Sequence, residues 1–223
     1  MVKTAFVLSF LIIIFLSTAY PQFFSGAGIK GGVTLSNQSW VSNSVDLSER
    51  YEFNLGFNAS VYGEFFNTKL FNLVSEVGYD RRGYAWTLDR FNQFGEKIGE
   101  SKLKYYTNYI SAAFLGKLKA KLGSVVPYLM AGPRIDFFLS ASNNEKDELG
   151  VETTPPYLTD FKPVNYGLNL GGGIELNLKT FKLLLDFSYS PALVISYDKD
   201  VIIKEYFINF RAGVGFGVKG KKK

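Results

Sequence analysis

Charged residues recur at alternate positions inside otherwise apolar segments of this sequence, and their types limit the chemistry available. Seven of these residues are carboxylic acids and four are arginine or lysine, with Lys182 as a further base. They are Lys30, Glu64, Glu76, Asp80, Arg82, Arg134, Asp136, Glu175, Asp186, Glu205 and Arg211. Two neighbouring carboxylates can divide general-acid and general-base roles when one of their pKa values is raised. Carboxylates interleaved with cations instead form a buried ion network that satisfies its own charges. The interleaving favours the second interpretation.

The chain contains no histidine and no cysteine. Ser-His-Asp and Cys-His systems need the imidazole base, and zinc and copper sites lose their usual ligands. The acidic segment 142–157 offers oxygen ligands of the kind that calcium prefers, but its spacing does not follow the EF-hand pattern. We therefore predict a protein that is not an enzyme and that binds no metal or cofactor.

The alternation that places these charges is typical of β-strands. Residues 51–65, YEFNLGFNASVYGEF, put apolar side chains at odd positions and polar or small ones at even positions. Similar alternation predicts eight strands at 28–36, 51–65, 70–86, 103–118, 125–140, 164–178, 181–190 and 201–218. The phase of strand 103–118 is not assigned by its pattern, because both of its faces are largely apolar.

The connections between these strands are alternately short and long. Long polar connections are expected at 37–50, 87–102 and 141–161, while the turns after strands 2, 4 and 6 are short. This arrangement predicts an all-β fold, an eight-stranded antiparallel up-and-down transmembrane β-barrel with both termini at the short-turn end.

The orientation of the two faces decides between a membrane barrel and a soluble one. A secreted lipocalin-like ligand binder would point its apolar face inward, whereas a membrane barrel points it toward lipid. Few lysines occur on the polar face, and aromatic residues lie near the strand ends, as interfacial girdles require. The expected girdles are Phe65, Phe71, Phe181 and Phe216 near the short turns, and Tyr51, Phe53, Tyr79, Tyr105, Phe137, Tyr166 and Tyr189 near the long loops. These features favour the membrane barrel.

The two ends of the sequence suggest export and a separate tail. A positive start, an apolar run at 5–16 and small residues before position 20 are typical of a signal peptide, so we predict cleavage after residue 19. The barrel domain is expected at 20–218 and a basic tail at 219–223. Without Lys3 and the four tail lysines the chain has equal numbers of acidic and basic residues, which argues against nucleic-acid binding.

Several segments, in this order, resemble a known family. They include GIKGGVTLSN (28–37), LVSEVGYDRRGY (73–84), PYLMAGP (127–133), NYGLNLGGGIELNL (165–178) and LLLDFSYSPALVIS (183–196). Over nearly the whole mature chain they are similar to the PorT-like outer-membrane β-barrel family typical of Bacteroidetes. That resemblance implies an eight-stranded barrel in the outer membrane, and its namesake is tied to a secretion machinery. It implies no catalytic or ligand-binding residue.

The sequence thus predicts an outer-membrane barrel whose function depends on its loops. We expect a structural or partner-binding role, as a monomer in outer-membrane lipid, with protein partners at the long loops and in a secretion or envelope complex. The alternatives are a small-solute channel and a soluble lipocalin-like binder.

Overall fold

The computed structural model describes residues 23–42, 45–46, 51–66, 68–143, 163–198 and 201–217. The predicted signal peptide, the basic tail and most of the segment 141–161 lie outside the described residues. The strands are β1 (Phe24–Ser42), β2 (Val45–Asp46), β3 (Tyr51–Phe65), β4 (Phe71–Phe91), β5 (Lys97–Lys119), β6 (Val125–Asn143), β7 (Val164–Asn177), β8 (Lys182–Asp198) and β9 (Val201–Gly217).

Eight long strands form one closed antiparallel barrel. Each pairs with its neighbour along the chain, and β1 pairs with β9 from Gly26–Gly217 to Ser42–Val201. The two-residue strand β2 only adds to the loop end of β1. The predicted eight-stranded up-and-down barrel is therefore confirmed. No helix long and apolar enough to span a membrane occurs in the described part of the chain.

The strands extend further at the loop end than the sequence pattern predicted. The segment 87–102, expected to be a loop, is the end of a β4–β5 hairpin whose tight turn occupies 92–96. Strand β8 likewise continues to Asp198. Alternation marks the part of a strand that has lipid on one side and the lumen on the other, and apolar and polar residues do not alternate regularly along 87–102 or along PALVISYD (191–198). The pattern therefore ended before the strands did.

Large apolar side chains cover the outside of the barrel. Leu55, Leu129 and Leu185 are 59, 68 and 65% exposed, and similar residues occupy the outward positions of every long strand. The buried positions between them are mostly polar or charged. This arrangement is the reverse of a lipocalin and is that of a membrane barrel.

Most of the expected girdle residues with described side chains face outward. Phe71 and Phe216 are exposed at the short-turn end, as are Phe137 and Tyr166 toward the loops. Tyr105 is the exception, because it is buried in the lumen and stacks on Tyr84 with 4.9 Å between ring centroids. The unassigned strand 103–118 therefore turns its odd-numbered residues inward.

A close backbone approach explains one glycine of the PYLMAGP segment. A Cβ on Gly132 would lie 2.0 Å from the carbonyl oxygen of Phe114 on the neighbouring strand β5. At Gly99, in the β4–β5 hairpin, an added Cβ would have no atom within 4 Å. Only the first position requires glycine for space.

We predict that Gly132→Ala destabilises the barrel by about 1–3 kcal/mol, the usual cost of overpacking. Gly99→Ala is the matched control and should change stability by less than about 0.5 kcal/mol. Urea unfolding of both variants in lipid vesicles measures the difference. Equal stabilities would contradict the close approach of β5 and β6.

Candidate functional site

The barrel interior brings the charged residues together. The structure places all eleven residues predicted from the sequence inside the lumen, each at most 8% exposed. Together with the buried Lys117 and Lys182, they divide by depth into three groups. The proximal cluster, near the short turns, comprises Glu64, Lys117, Glu175 and Lys182; the central ring comprises Lys30, Glu76, Asp186 and Arg211; the distal cluster, toward the loops, comprises Asp80, Arg82, Arg134, Asp136 and Glu205.

The central ring is a closed circuit of four ion pairs. Lys30 Nζ lies 2.5 Å from Glu76 and 2.8 Å from Asp186. Arg211 contacts the same two carboxylates at 2.9 and 2.6 Å. These residues come from β1, β4, β8 and β9, so the ring ties together strands that are distant in sequence. Two cations and two anions make it neutral.

The distal cluster is organised around two arginines and one aromatic ring. Arg82 donates to Asp136 at 2.7 Å and to Asp80 at 3.0 Å. Arg134 Nε lies 3.0 Å from Asp136. Both guanidinium groups pack against the Phe207 ring, with their central carbons 3.8 and 4.3 Å from its centroid. Cation–π contact thus accompanies ion pairing at this depth.

The proximal cluster links β3, β5, β7 and β8. Lys117 bonds Glu64 at 2.8 Å and also bonds Glu175. Lys182 lies 2.5 Å from Glu64 and 3.5 Å from Glu175. This cluster too contains two cations and two anions.

Sequence reasoning missed two lumen lysines, Lys117 and Lys119. Both belong to the strand whose phase was not assigned, because the inward positions of that strand also include the apolar residues Tyr109 and Leu115. The alternation of Lys117, Leu118 and Lys119 at its end was the one available signal. With these lysines and Lys182, the buried charges of the described residues are seven acids and seven bases.

The interior that results is filled rather than open. Tyr62 and Tyr128 lie between the proximal cluster and the central ring, with Lys30 4.9 Å from one ring and Lys117 4.3 Å from the other. The cavity between the central ring and the distal cluster measures about 30 Å³, the share of one water molecule in the liquid. Eight strands enclose little more than side chains. Within the described residues, no group of three acidic side chains is placed to hold a metal ion.

Charged side chains at the loop end form exposed pairs. Glu52 accepts from Lys102 and, at 2.6 Å, from the Thr87 hydroxyl, and these hydrogen bonds lower the pKa of the Glu52 carboxyl. Lys97 lies 2.7 Å from both Asp89 and Glu100, whose hydrogen bonds raise its pKa to about 12. Both groups therefore stay ionised near neutral pH. The first connects β3 to the base of the β4–β5 hairpin, and the second joins β4 and β5 near the hairpin tip.

Comparisons with known proteins agree with this architecture. Residues 22–198 match the outer membrane protein beta-barrel domain. Among solved structures, the outer membrane protein OprG from Pseudomonas aeruginosa has a TM-score of 0.51 at 10% identity, covering 89% of this chain and 98% of that one. Neisserial surface protein A has a TM-score of 0.44 at 13% identity, covering 86 and 99%. The attachment invasion locus protein Ail of Yersinia pestis has a TM-score of 0.37 at 16% identity, also covering 86 and 99%.

A closed antiparallel barrel with an apolar exterior and a charged interior defines an outer-membrane β-barrel protein. The match over most of its length shows that the chain belongs to the outer membrane protein beta-barrel domain family. The likeness to OprG shows the fold alone. No curated protein matches the chain.

We predict that Arg211→Met destabilises the barrel by about 3–5 kcal/mol, because Glu76 and Asp186 would remain buried with one cation fewer. Lys97→Met is the matched control, since Lys97 also contacts two carboxylates but its side chain is 46% exposed. It should cost about 0–1 kcal/mol. Urea unfolding in vesicles compares the two, and similar losses would contradict a water-excluding central ring.

Proposed function

We propose that the protein is a non-enzymatic outer-membrane barrel that binds a protein partner at its loop end, as an accessory component of a secretion or envelope complex. The resemblance to the PorT-like family supports the kind of complex. The lack of histidine and cysteine supports the non-enzymatic role. The observation that carries the proposal is the β4–β5 hairpin, which displays apolar side chains above a filled lumen.

The hairpin projects beyond its neighbours. Pairing of β4 with β3 ends at Trp86, and pairing of β5 with β6 ends at Tyr105. Residues 87–102 therefore pair only with each other among the described residues. The described contacts of this part of the hairpin with β3 include side-chain hydrogen bonds from Thr87 and Lys102 to Glu52.

The hairpin tip is a well-ordered turn. Asn92 Oδ1 accepts from the backbone N–H groups of Phe94 and Glu96 at 2.9 and 3.0 Å. Gly95 adopts a φ of 78°, in the left-handed region that favours glycine. A turn held this firmly presents its side chains in one arrangement, which lowers the entropic cost of binding.

The tip displays aromatic and aliphatic side chains. Phe91, Phe94 and Ile98 are 59, 79 and 64% exposed. Because neither neighbouring strand pairs with this part of the hairpin among the described residues, we place these side chains beyond the part of the barrel that lipid covers. Apolar groups clustered on a projecting element mark interaction sites, and aromatic anchors contribute much of the binding energy at interfaces.

The small-solute channel receives no comparable support. The ion-paired clusters and the tyrosines occupy the lumen, and the cavity between the central ring and the distal cluster has room for about one water molecule. The acid–base alternative is likewise disfavoured, since Glu76 and Asp186 each contact two cations.

We predict that a shortened hairpin abolishes partner binding without unfolding the barrel. Trp86 and Leu103 lie directly opposite each other, so an Asn-Gly type I′ turn can replace residues 87–102. In native envelopes, a photocrosslinker at Phe94 should give a discrete protein adduct, whereas one at lipid-facing Leu129 should not. An excess of untagged full-length protein should lower the yield of the adduct by competing for the partner, whereas an excess of the shortened protein should not.

Heat-modifiability on a gel verifies that the shortened protein is folded. An adduct that forms equally from Phe94 and Leu129, or that the shortened protein competes as well as the full-length one, would contradict the proposal.

A further inference from the structure

The short turns of the barrel have charges of one sign only. The three short turns, at 66–70, 120–124 and 178–181, contain Lys69, Lys121 and Lys179 and no acidic residue. Gly217, the last described residue, is followed in the sequence by VKGKKK. Among the side chains that the structure describes, the acidic ones outside the lumen all lie at the opposite, loop end: Glu52, Asp89, Glu96 and Glu100. The end with the short turns is therefore a region of positive potential.

A cavity opens within this positive end. It measures about 250 Å³ and is lined by four lysines and two glutamates, together with asparagine, serine and threonine side chains. The two glutamates are Glu64 and Glu175, which already bond Lys117 and Lys182 in the proximal cluster. The remaining lining charges, Lys119, Lys121 and Lys179, are all positive.

Lys119 places its positive charge at the wall of the cavity. Its side chain is 7% exposed and donates to Asn72 Oδ1 at 2.6 Å, so its ammonium group is held at the cavity wall. The hydroxyl of Ser25, which also lines this cavity, is buried and has no hydrogen-bond partner among the described residues. An ammonium group and a free hydroxyl are donors for the oxygens of an anion.

We propose that the short-turn mouth binds one small oxyanion, a phosphate or a carboxylate group, between Lys119 and the rim lysines Lys121 and Lys179. The cavity is smaller than the roughly 300–1,000 Å³ that drug-sized ligands occupy, which limits the ligand to one compact group. The anion comes from the aqueous side, because Lys119 and Asn72 lie inside the wall and lipid headgroups surround it from outside. This inference does not depend on the proposed role of the hairpin at the other end.

The test uses the mature chain in nanodiscs of zwitterionic phosphatidylcholine, titrated with inorganic phosphate at constant ionic strength and followed by calorimetry. Saturable binding is expected, with acetate competing as the carboxylate probe. Lys119→Gln should weaken phosphate binding about tenfold, since it removes one charged donor. The control Lys97→Gln removes the same charge from the loop end and should leave the affinity unchanged.

A second variant tests the proposal even if Lys119→Gln does not fold. The double variant Lys121→Gln/Lys179→Gln changes only exposed side chains and should weaken phosphate binding about threefold at low salt, since exposed charges interact weakly and are screened. Unchanged affinity in this folded variant would overturn the proposal. Equal weakening by Lys97→Gln would do so too, since it would indicate unspecific attraction.

The source of the anion is tested by adding phosphatidylglycerol to the nanodiscs. Phosphate binding that persists supports a soluble ligand. Phosphate binding that disappears would show that lipid headgroups occupy the lysines, which would overturn the assignment to the aqueous mouth.

Discussion

Pairing between β1 and β9 is the interaction on which the rest of the structure depends. Hydrocarbon offers no hydrogen-bond partner to backbone N–H and C=O groups, so a sheet in lipid must have no open edge. The continuous ladder from Gly26–Gly217 to Ser42–Val201 removes that edge. Every other feature of the barrel wall, including the outward row that contains Leu129 and Leu185, follows from a sheet closed in this way.

Closure with eight strands also requires the charged side chains of the interior to pair with each other. The lumen is too narrow for a wide water column, so the inward side chains have to satisfy each other. The seven acids and seven bases do this in stacked groups, with the proximal cluster and central ring each neutral. The distal cluster has three acids and two bases, and Lys119 at the opposite mouth supplies the remaining positive charge. The lumen as a whole is balanced, while its two ends are not.

The sequence was sufficient for the parts of the barrel where one face meets lipid. Alternation of Asn54 with Leu55 predicted both the strand and its orientation. It was insufficient where both faces have the same polarity. Tyr105 was placed in the outer girdle and Lys117 was not placed, because apolar residues also point inward on β5. The segment 87–102 was expected to be a loop because apolar and polar residues do not alternate regularly along it. Which cation meets which carboxylate depends on the strand stagger, and alternation does not encode that.

The two ends of the barrel differ in their charges and in the side chains that they expose. The loop end has both signs of charge and a firmly built hairpin tip with Phe94 exposed. The short-turn end has a cavity whose surplus charge is positive. The ion-paired side chains and tyrosines of the lumen separate these two surfaces.

Collision accessibility of spin labels in lipid vesicles tests the central claim, that lipid covers the apolar exterior of a closed barrel. Labels at Leu129 and Ile174 should relax with dissolved oxygen and be protected from a water-soluble nickel chelate, while a label at Phe94 should show the opposite. Preferential relaxation of the Leu129 and Ile174 labels by the nickel chelate would contradict the account.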